Sequence, residues 1–168
     1  DMLTGVLNKK TMENRVSLML KNRGDKYVIF YMVDLDNFKN VNDTLGHIYG
    51  DQAIVETAQC LNKVFANQDC IGRLGGDEFA VCVSYQAFDE QGLLEFIGKK
   101  AQEICAGNRR TYTDNAASVS ITSSIGVAYA PDMGDSFTEL YTQADCALYY
   151  SKANGKDQYH IYSPKDDN

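Results

Sequence analysis

The chain has 168 residues, 44% of them hydrophobic and only two of them proline, which is enough for a core of its own with no linker dividing it. Its net charge of -7 argues against nucleic acid or an anionic membrane surface as partner, since both call for clustered Lys and Arg. No apolar run reaches membrane-span length, no signal-peptide pattern opens the chain, and five scattered cysteines read as reduced core residues of a cytoplasmic protein.

In chain order, residues 8–21 predict a helix with Met12, Val16, Met19 and Leu20 along one face. Residues 27–33, almost without polar side chains, predict a buried strand that ends at Asp34-Leu35-Asp36. A short helix at 38–45 follows, then a break at Gly46 and a longer helix over 50–65. Residues 71–74 and 79–83 predict a hairpin, because the Gly75-Gly76 link supplies the positive φ such turns need. A helix over 89–106, a polar connection over 107–117 and a β-rich run over 119–130 interrupted at Gly126 come next. Ser136-Phe137-Thr138-Glu139 matches a capping box for a helix that runs to residue 152 and stops at Asn154-Gly155. A last short strand is expected at 159–162, with 165–168 as a frayed end. Strands separated by helices, with one hairpin, predict an α/β (α+β) fold: a central mixed β-sheet flanked by helices.

The chemistry concentrates at two acidic pairs, Asp34 with Asp36 and Asp77 with Glu78, each placed at a strand end. Singly, each acid serves equally well as a turn former or helix cap. Together they suggest a bound divalent metal and phosphate chemistry. With only His47 and His160 in the chain, the ligands would be hard oxygens, which favours Mg²⁺ or Mn²⁺ over zinc.

Six blocks in fixed order carry a family likeness: Asp1-Met2-Leu3-Thr4-Gly5-Val6-Leu7-Asn8; Val33-Asp34-Leu35-Asp36-Asn37-Phe38-Lys39-Asn40-Val41-Asn42-Asp43; Gly46-His47 with Gly50-Asp51; Arg73-Leu74-Gly75-Gly76-Asp77-Glu78-Phe79; Ser124-Ile125-Gly126-Val127-Ala128; and the run from Ala144 to Lys156. Over nearly its whole length the chain resembles the GGDEF domain of diguanylate cyclases. The resemblance implies a ferredoxin-like, palm-type nucleotide cyclase core with the Gly75-Gly76 turn on its hairpin. It also implies synthesis of cyclic di-GMP from two GTP, the 3′-hydroxyl of each attacking the α-phosphorus of the other.

Residue by residue, the resemblance makes Asp34 and Asp77 metal ligands, the Leu35 backbone carbonyl a third, and Glu78 a supporting catalytic group. Backbone N–H groups of the loop Leu35, Asp36, Asn37, Phe38 and Lys39 would face the triphosphate. Lys152 and Lys156 would hold its terminal phosphate, although without the resemblance both read as lysines favoured near a helix C-terminus. The family more often has Arg where Lys156 stands, so the planar fork is lost while the charge is kept. Asn42 and Asp51 would choose guanine, since a carboxylate accepts from its N1–H and exocyclic amine together. Asp51 alone reads as an acid in a helix's first turn, and Asn42 as a turn former.

One departure concerns Ala66-Asn67-Gln68-Asp69, where many active relatives carry Arg-x-x-Asp and bind product. Without the guanidinium, weak or absent product inhibition is expected. The resemblance further implies a homodimer as the active species, GTP and a second copy as partners, and an upstream sensory region in a longer protein. That native protein could be membrane-anchored with this domain on the cytoplasmic side. A GTP-binding regulatory or scaffolding module is the alternative; polymerase-like or adenylate-forming activity fits Asp51, Asn42 and the acidic surface poorly.

Overall fold

The computed structural model describes residues 1–66 and 69–167. Helix α1 (Lys9–Lys21) is capped by Asn8, whose side chain accepts from the Thr11 N–H, and buries Met12, Val16 and Leu20. Strand β1 (Tyr27–Asp36) runs past the expected end, so both acids of the first pair belong to the strand itself. The short α2 (Phe38–Leu45) is followed by α3 (His47–Val64), which starts earlier than periodicity suggested. Gly46 turns the corner between them with φ +95. Here α2 and α3 cross closely: a Cβ on Gly50 would lie 1.8 Å from the Asn42 side-chain oxygen.

The hairpin forms between β2 (Cys70–Gly75) and β3 (Glu78–Tyr85), leaving Gly76 and Asp77 at the turn. Helix α4 (Glu90–Asn108) is capped by Asp89. The connection expected after it contains a strand, β4 (Arg110–Thr113), and β5 (Ser118–Ala130) continues unbroken through Gly126. Gly126 marks contact instead of interruption: a Cβ there would sit 2.0 Å from the Ala144 carbonyl oxygen and 2.3 Å from the Leu148 nitrogen of α5 (Phe137–Ala153). Ser136 caps α5 through the Glu139 N–H, while the Glu139 carboxylate accepts from Asp135 N–H, one residue before the partner a reciprocal capping box uses. Strand β6 (Tyr159–Ile161) lies parallel to β5. Residues expected to fray form a 3-10 turn, Pro164–Asp167, tied back by His160 to Asp166 at 2.8 Å and Tyr162 to Asp167 at 2.6 Å; Asn168 lies outside the described residues.

Among the described residues the strands form one mixed sheet, ordered β2-β3-β1-β5-β4 with β6 beside β5. Helices cover both faces, as an α/β sandwich requires. The period-two alternation of β1 sorts its residues. Ile29, Tyr31, Val33 and Leu35 pack with Ile54 and Leu61 of α3 and Ile97 and Ile104 of α4. Val28, Phe30 and Met32 pack with Met12 and Val16 of α1 and Leu140 and Ala144 of α5. The five cysteines are free; Cys70, Cys82 and Cys105 are buried. No helix among the described residues is long and apolar enough to cross a membrane.

Candidate active site

Continuing the alternation of β1 places Asp34 and Asp36 on the face covered by α5. Register then supplies their neighbours. Asp34 stands opposite Glu78 of β3 on one side and Ser124 of β5 on the other, and Asp36 stands opposite Thr122. The Leu35 N–H donates to the Asp77 carbonyl at 3.3 Å, which ties the hairpin turn to the end of β1. From α5 comes Lys152, with its ammonium 3.0 Å from Asp34 Oδ2 and 3.2 Å from Asp36 Oδ1.

The result is a cleft of about 390 Å³ lined by Asp34, Leu35, Asp77 and Lys152 and by the start of α2, including Asn37, Phe38 and Lys39. Asn40 and Asp43 line it as well, and Asp43 pairs with Lys39 at 3.7 Å. Asn37 adopts a left-handed conformation (φ 70) and spends its side-chain amide on the Ser120 carbonyl, 3.0 Å away, instead of capping α2. No side chain caps the first turn of α2, which leaves the partial positive charge of its N-terminus facing the cleft.

Electrostatically the cleft is crowded with acid. Burial and the neighbouring Asp34 carboxylate push the Asp77 carboxyl up to about 6. Burial, Asp34 and Asp145 raise Glu78, which accepts a hydrogen bond from Tyr141 Oη at 3.4 Å. Burial opposes the charge on Lys152, yet Asp34 and Asp36 outweigh it and hold the ammonium above its ordinary range. Asp36 behaves differently from its neighbours: burial would raise it, but hydrogen bonds from Thr122, Ser124 and the Asp157 N–H, with Lys152 beside it, bring it below the usual carboxylate range.

Of the residues singled out from sequence, the structure brings Asp34, Leu35, Asn37, Phe38, Lys39, Asp77 and Lys152 together around the cleft. Glu78 sits beside it, across from Asp34. Asn42 and Asp51 lie on α2 and α3 outside the lining, with Asn42 half-buried against Gly50 and Asp51 exposed. Lys156 is exposed in the turn after α5, which has three successive positive φ values at Gly155, Lys156 and Asp157. Asp69 accepts from the Ala66 N–H at 3.0 Å, and Asn67 and Gln68 lie outside the described residues. Sequence reasoning missed Tyr141, Asp157 and the Thr122 and Ser124 hydroxyls, whose partners are too distant along the chain for local pattern to reveal.

No trio of His, Cys, Asp or Glu side chains among the described residues forms a ready-made metal cage. Two carboxylates crowded so closely that one resists ionisation nevertheless make a donor set that suits a hard divalent cation, whose other ligands come from phosphate and water.

Residues 1–158 match the family described as Diguanylate cyclase, GGDEF domain. The chain is 33% identical over 165 residues to the bifunctional diguanylate cyclase/cyclic di-GMP phosphodiesterase MucR of Pseudomonas aeruginosa, covering 96% of this chain and 23% of MucR. It is 30% identical over 165 residues to the cyclic di-GMP phosphodiesterase PdeR of Escherichia coli, covering 98% of this chain and 24% of PdeR. The chain thus spans about a quarter of each relative's length. The solved GGDEF domain of TpbB (YfiN) from Pseudomonas aeruginosa superposes with a TM-score of 0.89 at 29% identity, covering 99% of this chain and 96% of that one. By its ordered motifs, its fold and these matches, the chain belongs to the diguanylate cyclase GGDEF domain family.

Proposed function

We propose that this domain condenses two GTP molecules into cyclic di-GMP and pyrophosphate, each domain holding one GTP and two domains facing each other across a two-fold axis. The convergence of Asp34, Asp77 and Lys152 beside the uncapped start of α2 carries this reading. Asp34 and Asp77, with the Leu35 carbonyl, would hold Mg²⁺ or Mn²⁺. Bound there, the ion supplies charge neutralisation at the α-phosphate and acidifies the attacking hydroxyl.

The remaining work belongs to the chain. Free N–H groups of Phe38 and Lys39 receive phosphate oxygens at the helix N-terminus. Lys152 neutralises the terminal phosphate, with Lys156 reaching it from the exposed turn. Asn42 and Asp51 bind the guanine edge, Gly50 leaving Asn42 the room to lie between the two helices. Glu78, raised by burial and by Asp34, accepts the proton of the 3′-hydroxyl. Because each GTP supplies both a nucleophile and an electrophile, one domain alone completes no product. In a longer native protein, with this domain on the cytoplasmic side, an upstream sensory region would govern how the two sites meet.

A second reading has its own support. PdeR, named for phosphodiesterase activity, aligns with 98% of this chain, so a domain of this kind can serve within a protein named for another reaction. There it would bind GTP and regulate.

The test is mass-resolved product analysis with GTP and Mg²⁺, on the domain alone and fused to a dimerising coiled coil, with ATP and Asp77→Ala as controls. Cyclic di-GMP formed only from GTP, increased by fusion and abolished in Asp77→Ala, supports the cyclase. Saturable GTP binding with no product from either protein overturns it in favour of the regulatory module.

A further inference from the structure

Asp36 is the one acid of the four that the proposed chemistry leaves unused, and it is the most completely partnered. It is 3% exposed. Its Oδ1 accepts from Ser124 Oγ at 2.7 Å and from Lys152 Nζ at 3.2 Å. Its Oδ2 accepts from Thr122 Oγ1 at 2.7 Å and from the Asp157 backbone N–H at 3.2 Å. Four donors leave no lone pair for a metal ion, so kinship with Asp34 in sequence does not extend to ligation.

Two of those donors belong to the segment that carries the phosphate-binding lysines. Lys152 lies in the last turn of α5, and Asp157 closes the left-handed turn that contains Lys156. The carboxylate of Asp157 is held from outside by Arg109, whose Nε lies 3.1 and 2.9 Å from its two oxygens. Asp36 therefore holds the turn by the backbone of Asp157 and Arg109 by its side chain. Lys152 also bridges to Asp34, which the proposed reaction commits elsewhere.

We infer that Asp36 is a positioning residue: a buried carboxylate that holds the Lys152 ammonium and the 155–157 turn in place, so that cationic charge stands ready for the terminal phosphate of a nucleoside triphosphate. The inference rests on the reading of Lys152 as a phosphate ligand. Lysine has a long, freely rotating stem, and one fixed anionic partner removes most of that freedom before substrate arrives. When Asp34 is engaged by a cation, Asp36 remains as the lysine's anchor. Asparagine at 36 keeps the shape but replaces one oxygen with an NH₂ group, which must face either Lys152 or the Asp157 N–H, two donors that cannot reverse roles.

Two readouts on the full domain test this. Calorimetry with Mg²⁺ compares 3′-deoxy-GTP, which cannot cyclise, with 3′-deoxy-GDP. Asp36→Asn should lower triphosphate affinity about ten- to a hundredfold, the range of a charge-assisted contact, and leave diphosphate affinity unchanged. Lys152→Met should also lower triphosphate affinity selectively, and the double variant should lose clearly less than the sum of the two separate losses, because part of what Asp36 does passes through Lys152. Equal loss for both nucleotides, or additive losses, would overturn the inference. In the nucleotide-free protein, the ¹³Cε NMR signal of Lys152 should stand apart from those of the exposed lysines and move toward them in Asp36→Asn, stopping short because Asp34 still pairs with the ammonium; a signal unmoved by the substitution also overturns it. Thr122→Val, which removes one hydroxyl donor and no charge, should shift both readouts part of the way and covers the case in which Asp36→Asn does not fold. Wild-type protein that binds neither nucleotide, yet shows the shifted Lys152 signal, would retain the Asp36 anchor and defeat the GTP reading.

Discussion

Asp77 is held in an environment that its charge opposes. In the folded chain its carboxyl titrates at about 6, raised by burial and by Asp34, against an ordinary value of 3.8. Between those values the folded state binds a proton that the unfolded state has released, so stability falls as pH rises through that window and stays reduced above it. Allowing for solvent screening of a partly exposed group, the penalty at neutral pH is about 1–2 kcal/mol. Asp77→Asn should therefore raise the thermal midpoint of the metal-free domain at pH 7, by a few degrees for that energy. Mg²⁺ should raise the wild-type midpoint above pH 6 and leave that of Asp77→Asn unmoved, which differential scanning calorimetry in chelator and in Mg²⁺ reads directly. A variant less stable than wild type without metal would refute the electrostatic account. Tyr31 is a different kind of unmet demand: its buried hydroxyl has no hydrogen-bond partner among the described residues.

The helix–sheet contact at Gly126 decides whether α5 can deliver Lys152 at all. Adding a methyl group there drives it into the α5 backbone at Ala144 and Leu148, and backbone cannot rotate away as a side chain can. Gly126→Ala should cost about 3 kcal/mol or more in urea unfolding and should reduce GTP affinity in whatever fraction stays folded; a loss under about 1 kcal/mol would mean that α5 shifts freely. That glycine also shows what local pattern can and cannot reveal. Read along the chain, glycine in a β-rich run signals a break; only the helix overhead explains why the strand persists. Strand β4 was hidden for a related reason, since in Arg110-Thr111-Tyr112-Thr113 only Tyr112 is buried and the run carries little apolar signal. Helices α1, α4 and α5 were legible because apolar period and capping residues agree at Asn8, Asp89 and Ser136. At the cleft, the acids stood out by residue type and spacing, whereas Lys152 stood out only through the family resemblance. The anchoring of Asp36 did not, because its bond to the Asp157 N–H joins residues far apart in sequence that only the fold makes neighbours.

For the molecule as a whole, the proposed reaction gives each domain one nucleotide, which would make turnover a question of encounter. The initial rate of the isolated domain should rise with the square of its concentration when dilute, while the coiled-coil fusion should give a rate linear in concentration; linear kinetics from an unfused monomer would exclude the two-domain reaction. Any such assembly would act on a site whose orientation is set within the domain by β1. One extra residue between Val28 and Val33 would leave every acidic motif spelled as before, yet turn Asp34 and Asp36 toward the dry layer beneath α3 and α4. The domain can thus absorb length changes in its surface loops but has no tolerance for an odd-numbered insertion in this strand, where the letters of the motif and its chemistry would part company.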